Sequence, residues 1–213
     1  MKHLVLGFIL LLLINTAYSA TLNGNLTDET GVAVMDAVIS AVPVQKGLPA
    51  LAKSKQPTSL DQVDREFVPH VLAIRAGESV IFPNNDQTKH HVYSFSPANR
   101  FEIKLYSGIP SQPIVFNTPG VVVLGCNIHD WMVGYIVVAD TPYFAQTDAS
   151  GHWSIELPAG DYTFSLWHED LDGSDAPKTI KVTEGKNLIN DTVTLKHTQR
   201  SGKPPSTFQE QSY

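Results

Sequence analysis

Cysteine is nearly missing from this chain: one stands among 213 residues, at Cys126. A lone cysteine excludes an internal disulfide. Helical periodicity is almost absent too, which excludes a helix bundle. Past residue 14 no stretch is apolar enough for a membrane helix, so no membrane span is expected. Excess positive charge is lacking. The net charge is -6, and Lys2 is the only charge in residues 1–19, so the remainder carries -7 (-6 minus 1). That balance excludes a nucleic-acid footprint. It suits ordinary solubility, or a redox protein that meets a basic patch on a partner. No Ser-His-Asp set and no paired carboxylates stand out, so no catalytic residue is expected and the chain is not read as an enzyme.

What is present begins with a leader pattern. Lys2 precedes an apolar run from Leu4 to Ile14, and Ala17 and Ser19 are small. Residues 1–19 therefore read as a secretory signal peptide cut after Ser19, and the product is expected to be exported to the periplasm. No cysteine stands directly after the cut, so a lipid-anchored product is not expected. In an oxidising compartment the leftover thiol is either a liability or a working residue.

The body of the chain reads as all-β. Short β-rich runs include Val38–Val44, Val71–Arg75, Ser79–Pro83, Ile114–Asn117, Val121–Leu124, Tyr135–Ala139, Trp153–Leu157, Tyr162–Trp167, Thr179–Val182 and Thr192–Leu195. Turn chemistry such as Pro83-Asn84-Asn85-Asp86 and Pro158-Ala159-Gly160-Asp161 bounds many of them. Such spacing points to sandwiches or barrels.

The cysteine stands in Cys126-Asn127-Ile128-His129-Asp130-Trp131-Met132, a C-x2-H-x2-M loop between two strand-like runs. Three ligand types lie within one short loop, so a fourth ligand must arrive from elsewhere. Lys89-His90-His91-Val92 offers it, after a polar turn. Adjacent residues of a strand face opposite sides, so at most one of His90 and His91 can turn to the loop. Thiolate, two imidazoles and a thioether form the donor set of a mononuclear blue-copper site. Zinc accepts cysteine and histidine, but a methionine ligand argues against structural zinc. A dinuclear copper centre would need a second, bridging cysteine.

On these residues the segment 61–140 resembles the cupredoxins of the plastocyanin, amicyanin and pseudoazurin group. The two-residue gap before Met132 most resembles amicyanin. The resemblance implies a Greek-key β-sandwich holding one type 1 copper ion at His90, Cys126, His129 and Met132. In the family the upstream ligand sits in His-Asn-Val; here His91 replaces the asparagine, which keeps His91 open as the alternative to His90. Phe95, Phe101, Tyr106 and Phe116 are expected in the core or rim of that sandwich. Trp131 is expected to line the site or pack the loop, and His70 and His168 are expected on surface and strand faces.

The flanks carry another pattern. Asp28-Glu29-Thr30-Gly31 precedes Ala37-Val38-Ile39, and Thr147-Asp148-Ala149-Ser150-Gly151 leads into Leu157-Pro158-Ala159-Gly160-Asp161-Tyr162. Together, residues 20–45 and 141–197 resemble a carboxypeptidase-regulatory-like domain, a small transthyretin-like β-sandwich. The cupredoxin segment would then be inserted in one of its loops, with 46–60 as connector and 198–213 as a disordered tail. The arrangement is also similar to exported bacterial proteins labelled as methylamine-utilisation proteins with a plastocyanin-like domain, on Phe67-Val68-Pro69, His90–Pro97 and Gly125–Asp130.

These readings predict a periplasmic carrier of single electrons, cycling one copper between Cu(II) and Cu(I) and meeting redox protein partners. A copper-handling carrier or buffer is one alternative. An exported binding module without metal is the other.

Overall fold

A computed structural model describes residues 19–48, 51–110, 112–173 and 176–196. The expected signal peptide, apart from Ser19, and the expected tail lie outside these residues. Among the described residues every regular element is a strand, as an all-β chain requires. No helix there is long and apolar enough to cross a membrane.

The buried apolar residues form two main clusters. One gathers Leu22, Leu26, Ile39, Trp153, Tyr162 and Phe164, from residues 20–41 and 143–193. The other gathers Leu60, Phe67, Phe82, Phe116, Leu124, Cys126, Met132 and Ile136, from residues 60–138. Each fully buried Leu, Ile or Phe in them contributes about 1.5–3 kcal/mol over its exposed state.

Two sheets enclose the first core. Strand Ser19–Asp28 pairs antiparallel with His152–Pro158 and parallel with Gly185–Leu188 and Asp191–Val193. The facing sheet runs Phe144–Gln146, Val38–Pro43, Gly160–Trp167, Lys178–Val182. Strand His152–Pro158 of the first sheet alternates cleanly: Trp153, Ile155 and Leu157 are buried while His152, Ser154 and Glu156 face out. The Asp28 and Asp148 turns close in the same way. Each carboxylate accepts backbone N–H groups two and four residues on: Thr30 and Val32, then Ser150 and His152.

The second core lies between a five-stranded and a three-stranded sheet. The five strands run Val71–Arg75, Val133–Ala139, Gly120–Cys126, His90–Ser94, Phe101–Tyr106. The three run Ile114–Phe116, Glu78–Ile81, Thr58–Ser59. Leu60, at the end of the expected connector, is fully buried in this core. A hairpin, Asp61–Val63 with Glu66–Val68, turns through Asp64 and Arg65. Both turn residues hold positive φ, 52° and 62°, the geometry of a tight two-residue reversal.

Val38, Val71 and Val137 form a third, small cluster where the two parts meet, with Tyr135 and Trp167 packed against it. His70 Nε2 lies 2.8 Å from Glu169 Oε1 across the same junction. His70 is therefore engaged by a carboxylate as well as lying near the surface. His168, expected half-exposed, is buried, and its Nδ1 accepts the Asp170 N–H at 3.2 Å.

Candidate metal centre

Strand Gly120–Cys126 alternates inward Val122, Leu124 and Cys126 with more exposed Val121, Val123 and Gly125. That period carries the thiol to the inner face at the strand's last position. The chain then turns, with Met132 N–H donating to the His129 carbonyl at 2.9 Å. It leaves as Val133–Ala139, the antiparallel partner of the strand that brought it in. The turn therefore holds His129 and Met132 close beneath Cys126.

The upstream histidines are separated by strand geometry. In His90–Ser94 the residues His90, Val92 and Ser94 are buried, and His91 and Tyr93 are half-exposed. A register irregularity between His90 and Val92 sits where this strand pairs with Phe101–Tyr106. His91 Nε2 lies 2.8 Å from Glu102 Oε1 on the outer face. His90 turns inward.

His90, Cys126 and His129 converge. Their ligand atoms lie within 4.8 Å of one another. Cys126 Sγ is 3.6 Å from His90 Nδ1 and 3.9 Å from His129 Nδ1. The imidazole rings are 5.0 Å apart, and Trp131 packs on His129 at 5.1 Å. Met132 is 1% exposed and belongs to the same buried cluster as the thiol. One sulfur and two nitrogens face each other in a buried site, so the donor set fits a soft or borderline metal ion.

Electrostatics favour the thiolate. Burial works against the charge, but the His90 hydrogen bond and the backbone N–H groups of His91, Ile128 and His129 outweigh it and bring Cys126 down to about 6. His90 is shifted up: burial opposes its charge, while Cys126 and Asp86 favour it more.

Sequence reasoning missed Asp86 and Asn84. Asp86 Oδ2 lies 3.0 Å from His90 Nε2, on the side of the ring away from the sulfur. Buried Asn84 anchors the loop that presents it, donating to the carbonyls of Thr88 and Tyr106 at 2.9 Å each. The available signal was a carboxylate four residues before a candidate ligand. Phe95 departs from expectation: it is 75% exposed and stacks on Tyr93 instead of entering the core. Phe116 is fully buried, and Phe101 packs against it at 6.0 Å.

No protein-family model matches the chain, and no curated protein matches it. Among solved structures it is similar to a purple cupredoxin from Nitrosopumilus maritimus, at 21% identity over 38% of this chain and 99% of that one, with a TM-score of 0.35. It is similar to a copper-containing nitrite reductase from Thermus scotoductus, at 28% identity over 46% of this chain and a TM-score of 0.39. It spans 25% of that chain. It is also similar to a reduced amicyanin variant, at 18% identity over 49% of this chain and 99% of that one, with a TM-score of 0.34.

Proposed function

We propose that this chain is an exported copper protein that carries single electrons. His90, Cys126, His129 and Met132 would hold one copper ion, the thiolate and thioether favouring copper over harder cations. The observation that carries this reading is the buried convergence of one thiol sulfur with two imidazole nitrogens. Copper held there would supply a one-electron couple. The rest is the work of the chain. Backbone N–H groups around Cys126 favour the thiolate at neutral pH. Sheets on either side keep the donors apart at fixed distances, so little rearrangement follows a change of charge. Burial of all four side chains, each 3% exposed or less, keeps water from the donors.

The reading extends to organisation. Residues 61–140 are taken as a cupredoxin domain inserted in a carboxypeptidase-regulatory-like sandwich of 20–45 and 141–197. The two separate cores support it. Export to the periplasm rests on the leader pattern of residues 1–19. A redox protein is the expected partner, and no catalytic step is proposed. The copper-delivery alternative rested on His91 beside His90 and on the departure from His-Asn-Val; His91 Nε2 lies 2.8 Å from Glu102 Oε1, on the outer face.

The test is the visible absorption and EPR spectrum of the chain after copper loading. An intense thiolate-to-copper absorption that disappears in Cys126→Ala is expected. Its absence from the parent protein, or its survival in the variant, would overturn the reading.

A further inference from the structure

Around the inner cluster runs a second set of contacts that ends on His90. Asp86 lies at the centre of it. One carboxylate oxygen, Oδ2, accepts the Arg65 N–H at 2.7 Å and faces His90 Nε2 at 3.0 Å. The other, Oδ1, accepts the Gln87 N–H at 3.0 Å, and the Asp86 N–H donates to Asn84 Oδ1 at 3.0 Å. Every one of these contacts limits where the carboxylate can move.

The Arg65 N–H is itself fixed. It belongs to the reversal at Asp64 and Arg65, whose left-handed backbone points the amide out of the hairpin. The hairpin is anchored at both strands. Gln62 is fully buried, and its Nε2 donates to the Pro83 carbonyl at 2.9 Å. Phe67 is buried against Gly134, where even a Cβ would come within 2.9 Å of it. The same hairpin thus touches the strand leaving Met132 and, through Asp86, the strand opening at His90.

A carboxylate can only accept from an imidazole, so His90 must carry a proton on Nε2. A neutral ring then has its lone pair on Nδ1, the atom 3.6 Å from Cys126 Sγ. The contact selects the tautomer that can bind a metal beside the sulfur, and it stops the ring from rotating away. A fixed anion one ring's width from the metal position also favours the more positive oxidation state.

We propose that Asp86, held by the Asp61–Val68 hairpin, is a positioning residue that sets the tautomer of His90 and biases the site toward its oxidised form. The bias toward Cu(II) rests on the copper reading above; the tautomer does not.

Two measurements test it. In the metal-free Cys126→Ala chain, where no thiolate competes for a proton on Nδ1, imidazole nitrogen chemical shifts at a pH alkaline enough to neutralise the ring report the tautomer. His90 protonated on Nε2 and bare on Nδ1 is expected. Protonation on Nδ1 would overturn the proposal, whatever the protein does with copper. In the copper-loaded chain, Asp86→Asn is compared with Glu102→Gln, which removes the same charge from the non-ligand His91. Asp86→Asn is expected to weaken Cu(II) binding about tenfold more than Cu(I) binding, an upward shift of about 59 mV for one electron. Glu102→Gln is expected to shift the potential by much less. Equal shifts in the two variants would overturn the bias. If Asp86→Asn does not fold, Asp86→Ser serves the same comparison. A parent chain that takes up no copper defeats the carrier reading and with it the bias, while the tautomer is judged separately.

Discussion

The Asn127 N–H donates to the His91 carbonyl at 3.1 Å. The residue after the cysteine is thus bonded to the residue after the inner histidine. Beside it, Cys126 pairs with Val92 in the ladder. The separation of sulfur and imidazole is set by sheet hydrogen bonds before any ion arrives, and His91 contributes its backbone instead of its ring.

His90 and His91 should therefore behave unlike each other. His90→Ala is expected to abolish the thiolate-to-copper absorption. His91→Ala keeps its backbone carbonyl and should retain the band. Spectra of both variants after copper loading check this, and a reversed result would assign the ligand to His91.

The metal-free thiol should titrate early. Ultraviolet thiolate absorbance is expected to show a midpoint near 6 for Cys126. The ordinary thiol value is about 8.5. Because the folded value is depressed, the stability this group contributes is fully present above about 8.5 and is lost as pH falls through about 6. His90 is shifted up and acts in the opposite sense: its contribution is present below about 6.5 and is lost as pH rises through its folded value. A thiolate midpoint at the ordinary value would contradict the hydrogen-bonded cradle.

Copper should stabilise the fold through these ligands. At a hundredfold excess over Kd the gain is about 2.7 kcal/mol. Thermal unfolding with and without copper measures it. Cys126→Ala should remove most of the rise in Tm.

Gly24 is a stability position remote from the ligands. A Cβ there would lie 1.6 Å from the Ile189 carbonyl oxygen. Backbone cannot yield cheaply, so Gly24→Ala should destabilise by at least about 1–3 kcal/mol, read from denaturant midpoints. The folded fraction should keep the parent spectrum. Gly134→Ala meets the Phe67 ring two residues after Met132 and should disturb the spectrum as well.

The parts of the site that were legible are local. Cys126, His129 and Met132 share one loop, so their spacing carries their proximity. Strand alternation already allowed only one of His90 and His91 to face inward, but its phase depends on pairing with Phe101–Tyr106 and on the irregularity there. Asp86 was illegible because its role needs the Arg65 amide, which comes from a hairpin 21 residues upstream by tertiary contact. Strand Val71–Arg75 was read at its full length because its apolar run stops at a turn. Phe101–Tyr106 alternates in sequence but is only half-buried, so its apolar signal is weak. Phe95, expected in the core or rim, falls just past strand His90–Ser94 and is exposed, so its aromatic character did not mark burial.

Finally, the ligand atoms of His90, Cys126 and His129 all come from the stretch that builds the second core. The first core, with Trp153 and Phe164, is built from residues on either side of that stretch. The candidate ligands and the first core are therefore contributed by different parts of the chain. Substitutions on the outer face of the first core's sheets, such as at His152, Ser154 or Glu156, are expected to leave the distances among the three ligand atoms unchanged.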